Sequence, residues 1–130
     1  MIVKGMNDVL RGIKKVNTPP REHVRYLCEK YHIDYDIFSD VDVSYRESGA
    51  FWGLYEYRCG CKNIYLNEEL KHVCNGLHDF VLYHEMCHAV CCKDIFNADY
   101  THGMKFYRYY LRMKTLFIWE SVMLIKGLMI

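Results

Sequence analysis

The stretch His84-Glu85-Met86-Cys87-His88 constrains this chain more than any other. Two histidines four residues apart fall one turn apart on the same face of an α-helix, so both imidazoles can meet one ion. Glu85 follows the first of them and projects beside that ion. From there it can take a proton from a metal-bound water, whose pKa zinc lowers to about 7. Val81, Leu82, Ala89 and Val90 give the helix apolar surroundings. Asp79 reads as its N-cap, and the helix is expected to run from about His78 to Cys92.

A catalytic zinc wants a third protein ligand and an open fourth position. His102, in Thr101-His102-Gly103-Met104, is the candidate, because it opens the next helix after a loop long enough to bring that helix back across the first. His78 competes for the role but points away from the pair. His23, His32 and His72 read as surface or core histidines.

The 130 residues suit one domain over 1–130. Thr18 can cap a helix that starts at Pro19-Pro20, and Val24, Leu27, Cys28 and Tyr31 give it an apolar face. An earlier helix is expected from Asp8 to Val16. Three strands follow, Val41–Tyr45, Ala50–Arg58 and Asn63–Asn67, the last after a Cys59-Gly60-Cys61 turn. Asn67-Glu68-Glu69-Leu70 then reads as a cap and first turn. Lys93 to Thr101 reads as a loop, and from His102 one helix is expected through Phe117, bending into the apolar end. The class is therefore α+β. The acidic run Asp34, Asp36, Asp40 and Asp42 reads as a solvated loop, since it lacks the glycine and terminal Glu of an EF-hand.

Leu116 to Ile130 is the most apolar segment, yet it is shorter than the about 20 residues of a bilayer span and contains Glu120 and Lys126. It reads as a buried or partner-facing helix, and no membrane partner is expected. The N-terminus shows no signal-peptide core, so a reducing intracellular compartment, cytoplasmic or nuclear, is expected. The seven cysteines include no pair of CxxC half-sites, so most read as buried thiols, with Cys59 and Cys61 a weaker candidate for redox chemistry or a second metal. The net charge of +1 excludes a polycationic coat but hides a pattern. Residues 1–30 carry seven basic against three acidic side chains, residues 31–102 five against twelve, and residues 103–130 five against one.

HEMCHAV, a loop, and then HGMKFYRYYLRM resembles the HExxH…HGxxF pattern of the SprT-like (Spartan-type) zinc metalloproteases. AFWGLYEYRCGCKNIYLNEEL is similar to that family's strand pair, so the resemblance spans residues 41–112. It implies a minimal zincin-like α+β domain with an N-terminal helix, a small three-stranded sheet, the HExxH helix, a second ligand-bearing helix and an apolar C-terminal helix. It also implies Zn2+ on His84, His88 and His102, Glu85 as general base, and hydrolysis of peptide bonds in protein substrates, often DNA-associated or DNA-crosslinked ones. No C-terminal zinc ribbon or basic tail of the kind that many members carry is expected here.

Lys105, Arg108 and Arg112 fall at i, i+3 and i+7 with Tyr109 beside them, a stripe that suits single-stranded DNA as well as a plain solvated face. A substrate backbone is expected to pair with a sheet edge at Ile64 to Leu66. The other readings are a non-proteolytic zinc-stabilised module that binds nucleic acid or protein, with Cys59 or Cys74 closing the metal site, and a metal hydrolase for a non-protein substrate.

Overall fold

The computed structural model describes residues 18–91 and 104–126. Pro20 occupies the first turn of α1 (Pro20–Tyr31), where its missing N–H costs nothing. Thr18 does not cap this helix: Pro19 holds the N-cap position and makes no side-chain cap bond. The apolar stripe behaves as its spacing requires, with Val24, Leu27 and Cys28 buried and Tyr31 half-buried. His23 is buried with them. His32 ends the helix in a left-handed conformation (φ 57°), and the Ile33 N–H closes back on the Cys28 carbonyl at 2.9 Å.

The acidic run is spent on local structure. Asp34 caps a single 3-10 turn (Tyr35–Phe38) by accepting from the Asp36 N–H, and Asp40 takes an ion pair from Lys62 at 2.9 Å. The Lys62 ammonium holds the Asp40 carboxyl below the usual carboxylate range.

Strands β1 (Val41–Arg46), β2 (Gly53–Arg58) and β3 (Cys61–Asn67) form one mixed sheet in the order β1-β3-β2. The chain leaves β1, crosses to the far edge as β2, and returns down the middle as β3. Cys59 and Gly60 both have positive φ (52° and 79°), as a two-residue hairpin turn that follows strand twist requires. β3 pairs in parallel with β1, Val43 opposite Ile64, and antiparallel with β2, Tyr55 opposite Ile64. Ile64 to Leu66 is therefore flanked on both sides, and the expectation that it offers a free edge is wrong. Its alternation of buried and half-buried residues fits either an edge or a central strand, so the pattern alone did not order the sheet.

Asn67 is the hinge from sheet to helix. Its side-chain amide donates to the Ser48 and Phe51 carbonyls, while its oxygen accepts from the Glu69 N–H and caps the 3-10 turn Glu68–His72. Helix α2 (Asn75–Cys91) then runs against the sheet, and from Leu77 to Val90 every residue but Asp79 is buried. It begins three residues before the expected start. Asp79 sits inside it, not at its cap, because its carboxylate turns to His78 and His23.

The expected long helix after His102 is broken in two. α3 (Met104–Tyr110) ends in a tight turn, with the Arg112 and Met113 N–H groups on the Tyr109 and Tyr110 carbonyls, and α4 (Leu116–Lys126) starts afresh. The turn places Met113 and Leu116 in the core. Thr115 starts α4, its carbonyl accepting from Ile118 and its hydroxyl from the Trp119 indole. The two helices, α1, α2 and the sheet make the α+β class the sequence led to. Among the described residues no helix is long and apolar enough to cross a membrane. The expected Asp8–Val16 helix and the Lys93–Thr101 loop lie outside the described residues.

Candidate metal centre

The helical spacing of His84 and His88 brings their Nε2 atoms to 3.2 Å of each other. Ligands of one tetrahedral zinc, bound at about 2.0–2.1 Å, stand at a closely similar separation. Glu85 lies in the same group, so three donor side chains converge from one turn and a half of α2. All three are buried (1%, 0% and 4% exposed).

The apolar walls come from two directions. Phe106 of α3 packs on both imidazoles, 5.2 Å from the His84 ring and 4.8 Å from the His88 ring, and Tyr110 meets His84 edge-on. The phenylalanine four residues beyond His102 in the sequence motif is thus a wall of the site. Across from α3, Gly53 of β2 lies flat against α2: a β-carbon there would meet Val81 Cγ1 at 2.7 Å and Glu85 Cγ at 3.0 Å. Only a residue without a side chain lets β2 approach Glu85 this closely.

Glu85 is the electrostatic anomaly of the group. Neither carboxylate oxygen has a hydrogen-bond partner, and burial raises its pKa well above the ordinary value. A buried carboxylate without a donor is expensive unless a cation or a reacting water takes its charge. That orphaned group, next to two facing imidazoles, is the chemistry a divalent metal satisfies, so these residues fit one. Cys87, inside the same motif, is buried with its thiol pushed up by desolvation and lies outside the group. His102, the expected third ligand, lies outside the described residues.

Lys105 and Arg108 stand exposed on α3 as the stripe requires. Arg112 does not continue it, because α3 has ended by then. Its guanidinium donates to the Tyr31 and His32 carbonyls at the end of α1 and stacks over Tyr109. A cleft of about 650 Å³ opens beside it, lined by Lys30, Tyr31, His32, Arg112, Lys114 and Thr115. None of the HExxH side chains lines it.

Sequence reasoning missed a second group, His23, His78 and Asp79, which joins α1 to α2. His23 gave no signal, since a lone histidine on an apolar helix face reads as core. His78 gave a misleading one as a rival third ligand. It faces Tyr45 and Asp79 instead.

The model of the SprT-like family matches residues 25–124. No curated protein and no solved structure matches the chain.

Proposed function

Because the chain belongs to the SprT-like family, we propose that it is a zinc-dependent metallopeptidase that hydrolyses peptide bonds of protein substrates, with His84, His88 and His102 as metal ligands and Glu85 as general base. One observation carries the reading: the facing His84 and His88 nitrogens share their turn with a fully buried carboxylate that has no hydrogen-bond donor.

His84, His88 and His102 would hold a zinc ion, which would supply a Lewis acid for the scissile carbonyl and acidity for the attacking water. The role of Glu85 is to accept the proton of the attacking water and return it to the leaving amine. Phe106 and Tyr110 hold the His84 ring edge-on and keep bulk water away from one side. An extended substrate adds to β2, an edge strand of the sheet, with Gly53 bringing that strand to Glu85. Backbone pairing of this kind reads side chains weakly and suits loosely folded protein.

DNA-associated or crosslinked proteins are the proposed substrates. Lys105 and Arg108, with Arg112 beside the basic cleft, form the surface for single-stranded DNA. The alternative of a closed, structural zinc would draw a fourth ligand from Cys59 or Cys74. Both are exposed and stand outside the HExxH group.

Zinc content and cleavage of an unfolded protein, with and without single-stranded DNA, test the proposal in the wild type, Glu85→Gln and His102→Ala. Glu85→Gln is expected to keep zinc and lose turnover by about 10²–10⁴-fold. His102→Ala is expected to lose the zinc equivalent that His84 and His88 hold. Equal turnover in wild type and Glu85→Gln would refute the mechanism, and zinc without cleavage in either would favour the binding module.

A further inference from the structure

His23, on the buried face of α1, is 1% exposed, and neither of its ring nitrogens has a hydrogen-bond partner. A buried imidazole in that state is costly, and sequences seldom retain one where an aliphatic residue would pack. The ring sits 4.5 Å from the ring of His78 in α2, and its Nδ1 stands 3.6 Å from Asp79 Oδ1. His78 Nδ1 stands 3.0 Å from the same oxygen. Two imidazoles and a carboxylate therefore offer ligand atoms within 4.8 Å of one another.

We infer that His23, His78 and Asp79 form a second metal site, for a divalent cation of the zinc type, that clamps α1 to the helix bearing His84 and His88. The separations of 3.0 and 3.6 Å bracket the about 3.3 Å between ligands of a tetrahedral zinc whose bonds are about 2.0–2.1 Å. His78 has a partner on its far side for the role. Its Nε2 lies 2.7 Å from the Tyr45 hydroxyl, which can accept from Nε2–H once Nδ1 gives up its proton and turns its lone pair to an ion beside Asp79. Binding displaces the proton that His78 and Asp79 otherwise share and gives a His23 nitrogen a bond in place of its 3.6 Å contact with Asp79. Asp79 is 17% exposed on its side chain, so water can reach the ion and complete its coordination.

The site is separate from the HExxH group. His78 and His84 are six residues apart, about 9 Å along the helix axis. Paired catalytic metals stand about 3.5–4 Å apart, so the second ion acts on structure and not on the reacting carbonyl.

The test counts metal. The full-length chain is stripped with a chelator, equilibrated with zinc chloride and freed of unbound ion, and zinc per chain is measured. The wild type is expected to hold two equivalents, and the double variant His84→Gln/His88→Gln to retain one. Adding Asp79→Asn to that double variant removes the remaining equivalent and abolishes the rise in melting temperature that zinc gives it. Should Asp79→Asn fail to fold, His23→Phe, which fills the same volume without donor atoms, carries the same expectation. No zinc in the double variant would overturn the assignment. So would an equivalent that survives Asp79→Asn or His23→Phe, because that metal would sit elsewhere, for example on exposed Cys59 and Cys61. A wild type holding one equivalent that the double variant keeps would instead refute zinc at the HExxH group and leave this site standing.

Discussion

Gly53 on β2 lies so close to α2 that a methyl group in its place would stand 3.0 Å from Glu85 Cγ and 2.7 Å from Val81 Cγ1. Neither neighbour is the tip of a long side chain that can swing away. Gly53→Ala is therefore expected to push β2 and α2 apart. Overpacking of this size costs about 1–3 kcal/mol of stability. The effect on turnover is larger in proportion, since a displacement of about 1 Å at a catalytic group can cost about 10²-fold. Urea unfolding and peptide cleavage on the same preparation check both. A variant as stable and as active as the wild type would mean that the strand does not position Glu85.

Burial raises the Glu85 pKa well above its ordinary value, which fixes the sign of a pH effect in the metal-free protein. A group with a raised folded-state pKa contributes stability below its unfolded value of about 4.3 and loses it as pH rises towards the folded value. Above that window the native state must either hold a buried charge or bind a proton from dilute solution. Glu85→Gln removes this cost. Metal-free Glu85→Gln is expected to melt above the metal-free wild type at neutral pH, with the gap closing as pH falls to about 4. Thermal melts in chelator across that range measure it, and a gap that widens towards acid pH would contradict the assignment of cause.

The HExxH group was legible in the sequence because helical spacing alone decides it: four residues put His84 beside His88 whatever the rest of the chain does. Phe106 was legible only as a motif letter, and its packing on both imidazoles needed α3 placed in space. The sheet shows the limit from the other side. The first strand could be read from its alternation, the second from its aromatics and the third from the turn before it, but the order β1-β3-β2 depends on which neighbours cover which edge, and Ile64–Leu66 is central. Asp79 was misread because a cap and an interior carboxylate look alike in sequence. What separates them is His23, more than fifty residues away in the chain, with its Nδ1 3.6 Å from the carboxylate. Arg112 left its stripe for a similar reason, since the carbonyls at the end of α1 take its guanidinium.

Gly76, at the start of α2, and Trp119 of α4 are coupled by contact. A β-carbon at residue 76 would clash with Trp119 Cζ2. The indole is half-buried there, and its N–H is held by the Thr115 hydroxyl, so it is not free to swing aside. Gly76→Ala is expected to destabilise by about 1–3 kcal/mol. In a Trp119→Ala background the same change is expected to be near neutral, because the obstacle is gone. A double-mutant cycle in urea measures the difference as a coupling energy. Additive effects would show that α4 does not dock on the first turn of α2 through this ring.

Five of the described thiols fall into two burial classes that alkylation can separate, with Cys91 intermediate between them. Cys59, Cys61 and Cys74 are exposed, while Cys28 and Cys87 are buried. Desolvation, with smaller contributions from Asp34 and Glu29, pushes the Cys28 thiol up to about 12. Burial, first of all, also raises Cys87 well above its ordinary value. Only the thiolate is nucleophilic, so both stay inert at a pH where an exposed cysteine of pKa about 8.5 is partly ionised. Brief iodoacetamide treatment of the native protein at pH 8, read peptide by peptide in a mass spectrometer, is expected to label Cys59, Cys61 and Cys74 and to spare Cys28 and Cys87. Denaturant should make all five react alike. Labelling of Cys87 in the native state would mean that the helix carrying His84 and His88 opens on the timescale of the reaction, and that the burial assigned to Glu85 does not hold in solution.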